Sequence, residues 1–542
     1  MVDYPWLKFY PPGVPEHLEY PPAVCPDLLR QAARDYPESE ALNFYGNPVT
    51  YSVFYSYAAR FAAALVDLGV AQGDRVALVG PNCPQWEIAW FGVLMAGAVV
   101  VQTNPMYRDR ELTSLFNDSG AQTVVAYQPL VPLVLAVKPA TAVTRVISFD
   151  FVPAFQPGDG GVEVFEQLIA QSPNRQLPRV DPEDLAVLQY TGGTTGEPKG
   201  VMLTHANLVA NTFQALAVMT PLAPRKGEEV MLTVLPLFHV YGMTAAMNLA
   251  VAIAARQVIL PRFEVKEVLR TIAEHRVTFF PGAPTMYVAV NNFPGVEQVD
   301  LGSVKGCLSG SAPLPPEVQR RFEELTGAVL VEGYGLSEAS PITHVNPLGG
   351  VRRAGRIGVP VPDTVAKIVD GGTGASELAP GAVGEMVVKG PQVMRGYWNK
   401  PEETAAVLRE GWLFTGDLAV MDEDGFFTVV DRKKDLIIAG GFNIYPREVE
   451  DVIYEHPKVR EAVVVGVPDA YRGETVRAFV VLKDNEGLTA DELTAFLRER
   501  LAAFKVPRQV EFRPELPKTV VGKALRRVLR SEAEKEAHET EV

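Results

Sequence analysis

The sequence predicts an α/β protein: a large N-terminal domain of parallel-rich sheets with flanking helices, a small barrel-like subdomain, and a small α+β domain at the C-terminal end. Three observations carry this expectation. The chain has 542 residues, more than one hydrophobic core usually spans. Short apolar runs alternate with stretches of helical length, the texture of strand–helix–strand units. That texture then changes near residue 350, and again after the charged run DRKKD at residues 431–435.

The segments RVALVG (75–80), AVVVQT (98–103) and TVVAY (123–127) read as buried strands, and PQWEIAWFGVLMAG between the first two has helical length. EVMLTV (229–234), RQVIL (256–260), VTFFPG (277–282) and AVLVEGYG (328–335) continue the pattern. From about 350 to 430 the strands become short and glycine-punctuated, as in a small barrel or meander. Residues 1–430 are therefore expected to form the large domain, 431–435 a junction, and 436–542 the small domain. In the latter, PREVEDVIYEHPKV and TADELTAFLRERL read as helices, and EAVVVGVPD and VRAFVVLKD as strands. The charged tail RRVLRSEAEKEAHETEV is expected to fray into solvent.

Composition excludes several classes. Apolar residues make up 47% and charged residues 21%, an ordinary globular mixture. A formal net charge of -15 argues against nucleic acid as a partner, which needs a basic face. Three cysteines, Cys25, Cys83 and Cys307, lack the spacing of a zinc site or disulfide framework. No basic segment followed by an apolar run marks a signal peptide. The longest apolar stretches (89–101 and 241–255) fall short of the roughly 20 residues of a spanning helix. A cytoplasmic protein is expected. Peripheral contact at the inner face of a membrane stays open, as does the choice between monomer and homodimer.

The stretch that speaks of chemistry is Tyr190-Thr-Gly-Gly-Thr-Thr-Gly-Glu-Pro-Lys-Gly200, directly after the strand DLAVLQY. Gly192, Gly193 and Gly196 let the backbone turn tightly and bring N–H groups to an anion. Thr191, Thr194 and Thr195 add hydroxyls, and Lys199 adds a cation, so the composition suits a polyphosphate. It is not a Walker A loop, because Gly200 rather than Ser or Thr follows Lys199.

This loop resembles the phosphate loop of the adenylate-forming superfamily of acyl-CoA synthetases, firefly-type luciferases and peptide-synthetase adenylation domains. Further motifs of that family follow in order. They are Ser309-Gly-Ser-Ala-Pro313, Gly333-Tyr-Gly-Leu-Ser-Glu338, Gly411-Trp-Leu-Phe-Thr-Gly-Asp417, Asp431-Arg-Lys-Lys-Asp435, Gly440-Gly-Phe-Asn443 running on to Glu450, and Pro517-Lys-Thr-Val-Val-Gly-Lys523. Singly, Asp417 reads as a turn acid, Arg432 as half of a surface ion pair, Tyr334 as a core tyrosine and Lys523 as a solvated lysine. Their shared order is what makes the resemblance specific.

The resemblance implies an enzyme, an acid–thiol ligase using ATP, Mg²⁺ and coenzyme A. A carboxylate attacks the α-phosphate of ATP, giving an acyl-adenylate and pyrophosphate; the acyl group then passes to coenzyme A, releasing AMP. Because charge builds on phosphate oxygens, such chemistry rests on positioning and electrostatics. The resemblance assigns Mg²⁺ to Glu338 and Thr191, with Ser337 giving a hydroxyl where Thr is commoner. It assigns ATP to Thr191–Gly196, Lys199, Gly310, Ser311, Ala312, Glu332, Gly333, Tyr334 and Gly335, and the ribose to Asp417 and Arg432. Lys523 serves adenylation, and Lys434 marks a hinge about which a mobile small domain swings. Gly440, Gly441, Phe442 and Asn443 then shape the coenzyme A channel.

For the acid itself, His239, Met243 and Gly282 are the expected acyl pocket. The segment VYGMTAAMNLAV after His239 holds no acid to anchor an ammonium group, and its residues suit an alkyl chain, at about 0.8 kcal/mol per buried methylene. Segments such as PWLKFYPPGVPEHLEYPP and FPGAPTMY resemble bacterial long-chain-fatty-acid–CoA ligases. Met243 stands where some long-chain members carry Trp, so a medium-chain or coumarate-like aryl acid stays open. A luciferase-like oxygenase would share these motifs, whereas a non-catalytic binder would be expected to lack Lys523 or Glu338. The chain ends soon after Lys523, which favours a free thiol acceptor.

Overall fold

Runs of valine, alanine and leucine with both faces apolar belong in parallel sheets covered by helices on both sides. Arg75–Val79, Val99–Thr103 and Thr123–Tyr127 obey this rule and pair in parallel. The computed structural model describes residues 4–151, 161–172, 175–191, 198–374, 376–439, 442–469, 472–519 and 524–541. Its chain divides into two units, 1–365 with 389–413, and 366–388 with 414–542.

In the first unit the sheet order is Gly396–Tyr397, Lys199–Thr204, Leu185–Thr191, Val99–Thr103, Arg75–Val79, Thr123–Tyr127, Arg145–Phe149 and Glu163–Val164. Only the first two strands run antiparallel to their neighbours. Helix Pro84–Met95, with Trp86, Trp90 and Phe91 buried, packs on helix Tyr51–Asp67, where the rings of Phe54 and Phe91 meet edge-on at 5.5 Å.

A second sheet holds Val230–Thr233, Arg256–Ile259, Glu40–Phe44 and Asn47–Thr50. Single bridges through Phe279 join it to the strands Gly306–Ser309, Val329–Gly335, Ile342–Val345 and Val359–Pro360. The strand expected at 277–282 is thus reduced to bridges at Phe279 and Gly282. Pro281 between them has no N–H to continue the ladder. The segment after His239 is another departure, since Gly242–Asn248 is π-helical and continues into helix Leu249–Ala252. Such turns are frequent at functional sites. Residue 242 must be glycine, because a Cβ there would lie 2.3 Å from the Pro236 carbonyl oxygen.

In the second unit, Val365–Val369, Gly384–Lys389 and Trp412–Met421 are successive neighbours in one sheet, and Phe427–Arg432 pairs antiparallel with the last. A further sheet, in the order Phe442–Ile444, Ile437–Ala439, Gly473–Leu482 and Val459–Asp469, carries Gln509–Phe512 alongside Gly473–Leu482. The expected helices form at Pro446–Tyr454 and Ala490–Arg498, the latter capped by the Thr489 side chain. The tail corrects the expectation of fraying: Arg526–Glu541 is a helix. Leu529 and Ala533, four residues apart on one face, are buried against Val463, Val465 and Phe479.

Candidate active site

The strand Leu185–Thr191 and its return Lys199–Thr204 bring Thr191 opposite Lys199, the last pair before the connecting loop. The loop residues Gly192, Gly193, Thr194, Thr195 and Gly196 lie outside the described residues, as do Gly440, Gly441 and Lys523. Lys199 pairs with Glu403, and its ammonium stands 5.1 Å from the Tyr397 ring centre. Tyr397 lies opposite Val201 on the short strand beside this hairpin. Its hydroxyl donates to Glu338 Oε1 at 2.7 Å. Burial, with the Glu338 carboxylate beside it, raises the Tyr397 pKa well above the usual range and keeps it a donor.

Glu338 and Ser337 lie on the single 3₁₀ turn Ser337–Ala339, just past the strand Val329–Gly335. The turn is tight: a Cβ on Gly335 would sit 2.1 Å from the Pro341 carbonyl oxygen. Met394 N–H donates to the Glu338 carbonyl at 2.8 Å, and Thr244 of the π-helical segment donates to the Ser340 carbonyl at 2.6 Å. Among the described residues, no group of three or more His, Cys, Asp or Glu side chains could cage a metal. The half-buried Glu338 carboxylate needs no cage to take part in a metal site, because Mg²⁺ is commonly held by one or two carboxylates together with substrate phosphates. The donor set fits that use.

Parallel pairing of Gly306–Ser309 with the next strand sets Ser309 beside Glu332. Ser311 follows with φ 71°, a left-handed conformation unusual for a non-glycine residue and recurrent at ligand clamps. Gly310 N–H donates to the Gly282 carbonyl at 3.2 Å, so two residues assigned to different ligands share one contact. Ala312 and the Tyr334 ring are half-buried, Tyr334 lying edge-on to His344 at 6.0 Å. Burial pushes the His344 pKa down to about 3, so this ring is neutral.

Tyr241 ties this region to His239. Its hydroxyl donates to the Leu308 carbonyl at 2.6 Å, and its N–H donates to His239 Nδ1 at 3.2 Å. With Nδ1 accepting, the neutral form of the His239 ring has its proton on Nε2. A narrow cavity of roughly 50 Å³ lies nearby, walled by apolar groups including Met219, Met231, Ala245, Leu249, Phe279 and Val345. His239, Met243 and Gly282 are not on that wall. Met243, fully buried, lies beside the Gln102 amide instead.

In the second unit Asp417 and Arg432 face each other on adjacent antiparallel strands, with Arg432 Nε 3.7 Å from Asp417 Oδ1. Lys434 and Asn443 are exposed, and exposed Phe442 stacks on Phe504 with ring centres 4.6 Å apart.

Sequence reasoning missed Tyr397, Glu403 and the buried amides of Asn82, Gln102 and Gln189. The available signals were a Gly-Tyr-Trp run outside the recognised motifs and single polar residues within apolar strands.

The chain matches the AMP-binding enzyme family over residues 29–398 and the AMP-binding enzyme C-terminal domain over residues 448–523. It is 48% identical to a long-chain-fatty-acid–CoA ligase of Bacillus subtilis (strain 168), over 98% of this chain and 99% of that protein. It is 39% identical to a feruloyl-CoA synthase of an Amycolatopsis species, over 91% and 96% respectively. Its fold is similar to that of ATP-bound MatB from Rhodopseudomonas palustris, with TM-score 0.85 and 30% identity over 94% of this chain and 98% of that one. With the hairpin, the acidic turn and the strand pairing in place, the chain belongs to the AMP-binding, adenylate-forming enzyme family.

Proposed function

We propose that this protein is a long-chain-fatty-acid–CoA ligase, converting a fatty acid, ATP and coenzyme A into acyl-CoA, AMP and pyrophosphate. The observation that carries the choice of acid is the 48% identity, over 98% of this chain, to a long-chain-fatty-acid–CoA ligase. The buried segment Gly242–Asn248 after His239 holds no acidic residue, so it offers an amino acid's ammonium group no counter-charge.

In this reading the His239 Nε2–H donates to the carboxylate and orients it for attack on the α-phosphate. The Thr191–Lys199 hairpin and its loop bind the polyphosphate, and Ser337 adds a hydroxyl. Glu338 and Thr191 would hold Mg²⁺, which when bound neutralises phosphate charge. Tyr334, Gly310, Ser311 and Ala312 bind the adenine, beside Glu332, Gly333 and Gly335, while Asp417 and Arg432 take the ribose hydroxyls. Lys523 serves adenylation, Lys434 lies in the hinge of a mobile small domain, and Gly440–Asn443 serve thiolysis. Lys523→Ala should then stop acyl-adenylate synthesis while thiolysis of supplied adenylate continues, and Gly441→Leu should do the reverse.

Pyrophosphate release against acetate, octanoate, palmitate, oleate, benzoate, coumarate and ferulate tests the substrate. The highest kcat/KM is expected for a fatty acid of eight or more carbons, a length at which methylene burial of about 0.8 kcal/mol each outweighs carboxylate binding. The feruloyl-CoA synthase relative favours an aryl acid as the second reading. Preference for ferulate or coumarate would select it.

A further inference from the structure

Two glutamines lie side by side at the centre of the eight-stranded sheet. Gln102 and Gln189 are register partners on adjacent parallel strands, 2% and 3% exposed. A buried primary amide is costly unless it is hydrogen-bonded, so two together at a strand centre call for a reason. Both reach the same segment. Gln189 Nε2 donates to the Phe238 carbonyl at 3.1 Å. In the orientation that satisfies both ends of its amide, Gln102 donates to the Leu237 carbonyl at 2.9 Å and to the Phe238 carbonyl at 2.5 Å. The Phe238 oxygen thus uses both lone pairs. A third buried amide, Asn82, holds the same segment from its start. It accepts from Leu237 N–H at 2.8 Å and donates to the Leu235 carbonyl at 2.8 Å.

The gripped residues lead directly into His239, whereas Gln189 stands two positions before Thr191, where the phosphate loop begins. We infer that Gln102 and Gln189 are positioning residues that fix the carboxylate-binding His239 segment against the phosphate-loop strand. The amides act through the backbone they hold and not on the reacting atoms. Each locks the backbone that places them, and a misplacement of about 1 Å between reacting groups can cost roughly 100-fold. The carboxylate and the α-phosphate are separate molecules only before adenylation. Once the mixed anhydride exists, a covalent bond fixes their spacing. The pair therefore matters for the first half-reaction and little for the second. The inference rests on the ligase reading above.

Gln189→Met and Gln102→Met keep side-chain length and remove the donor. Adenylate formation, followed by pyrophosphate release with the best acid of the panel, should fall about 10- to 100-fold in each variant. KM for ATP should stay within about twofold, and thiolysis of supplied acyl-adenylate within about threefold, each rate normalised to the folded fraction measured by thermal melting. Should Gln189→Met fail to fold, Gln102→Met carries the same expectation. Equal loss in both half-reactions would reduce the pair to a structural role and overturn the inference, as would unchanged adenylation. A wild-type protein that forms adenylate with no acid would sink the ligase reading and this inference together. An active wild type with unaffected variants sinks the inference alone.

Discussion

Two carboxylate clusters, one in each unit, show how differently a folded chain can hold an acid. Around Glu450 the carboxylate is buried and closely paired: it accepts from Val464 N–H at 2.7 Å and from the Arg526 guanidinium at 2.5 Å. Asp431 nearby accepts from Arg432 N–H and Arg447 N–H at 2.8 Å each. Burial raises the Glu450 pKa while Arg526 pulls it down, and Asp431 shows the same opposition. Glu338 is only half-buried, and Tyr397, a neutral donor, is the side chain that binds its carboxylate among the described residues. A carboxylate with a built-in cation is committed to holding the fold. One held, among the described residues, by a neutral hydroxyl is oriented without being paired to a cation.

The comparison can be broken most directly at Glu338. Glu338→Gln should keep the unfolding midpoint of the wild type yet cut pyrophosphate release by about 1000-fold, roughly 4 kcal/mol of transition-state stabilisation. Wild-type turnover in this variant would place Glu338 outside the site. Arg526→Met should do the opposite. Leaving Glu450 buried without its cation costs about 3–5 kcal/mol, seen as a lower urea midpoint and faster amide exchange in the strand Val459–Asp469. Adenylate formation per folded molecule should be unchanged.

Tyr397→Phe sharpens the boundary between orienting an acid and neutralising it. The ring beside Lys199 remains, while a hydrogen bond to a charged group, worth about 1.5 kcal/mol, is lost. Pyrophosphate release should fall about tenfold, with half-maximal rate requiring more Mg²⁺ and KM for the fatty acid unchanged. If the Mg²⁺ requirement does not move, the Tyr397 hydroxyl serves packing only.

Glu87 is a third case, an acid fully buried with the Gln257 amide 2.9 Å from Oε2 and no cation paired with it among the described residues. Burial raises its pKa to about 8, with Gln257 pulling weakly the other way. The folded protein thus binds a proton that the unfolded chain, with a carboxyl pKa of about 4.3, releases. Its contribution to stability is present at low pH and is lost as pH rises towards about 8. Glu87→Gln should flatten this slope, so the variant gains on the wild type in urea midpoint between pH 5 and pH 8. A constant difference across that range would mean that Glu87 does not titrate there.

Much of this was legible in the residues. Strand–helix alternation gave the parallel strands of the large sheet, because a strand buried on both faces must be apolar throughout. The family motifs pointed to Glu338, Asp417 and Arg432, because local backbone requirements at turns and paired strands are written in consecutive residues. The departures occurred where distant segments decide local structure. Pro281 interrupts a strand that neighbours still bridge on both sides at Phe279 and on one side at Gly282, and Leu529 and Ala533 turn an expected frayed tail into a packed helix.

The sequence by itself determined the fold class, the order of the motifs and the residue types available for phosphate and carboxylate chemistry. Only the tertiary structure decided which residues outside those motifs touch them or the segments beside them. Tyr397 meets Glu338 across 59 positions of chain, and Gln189 meets Phe238 across 49. Periodicity and propensity act over a few residues, whereas a hydrogen bond depends on distance in space. A glutamine in an apolar strand gives no sign, before folding, of the carbonyl it will hold.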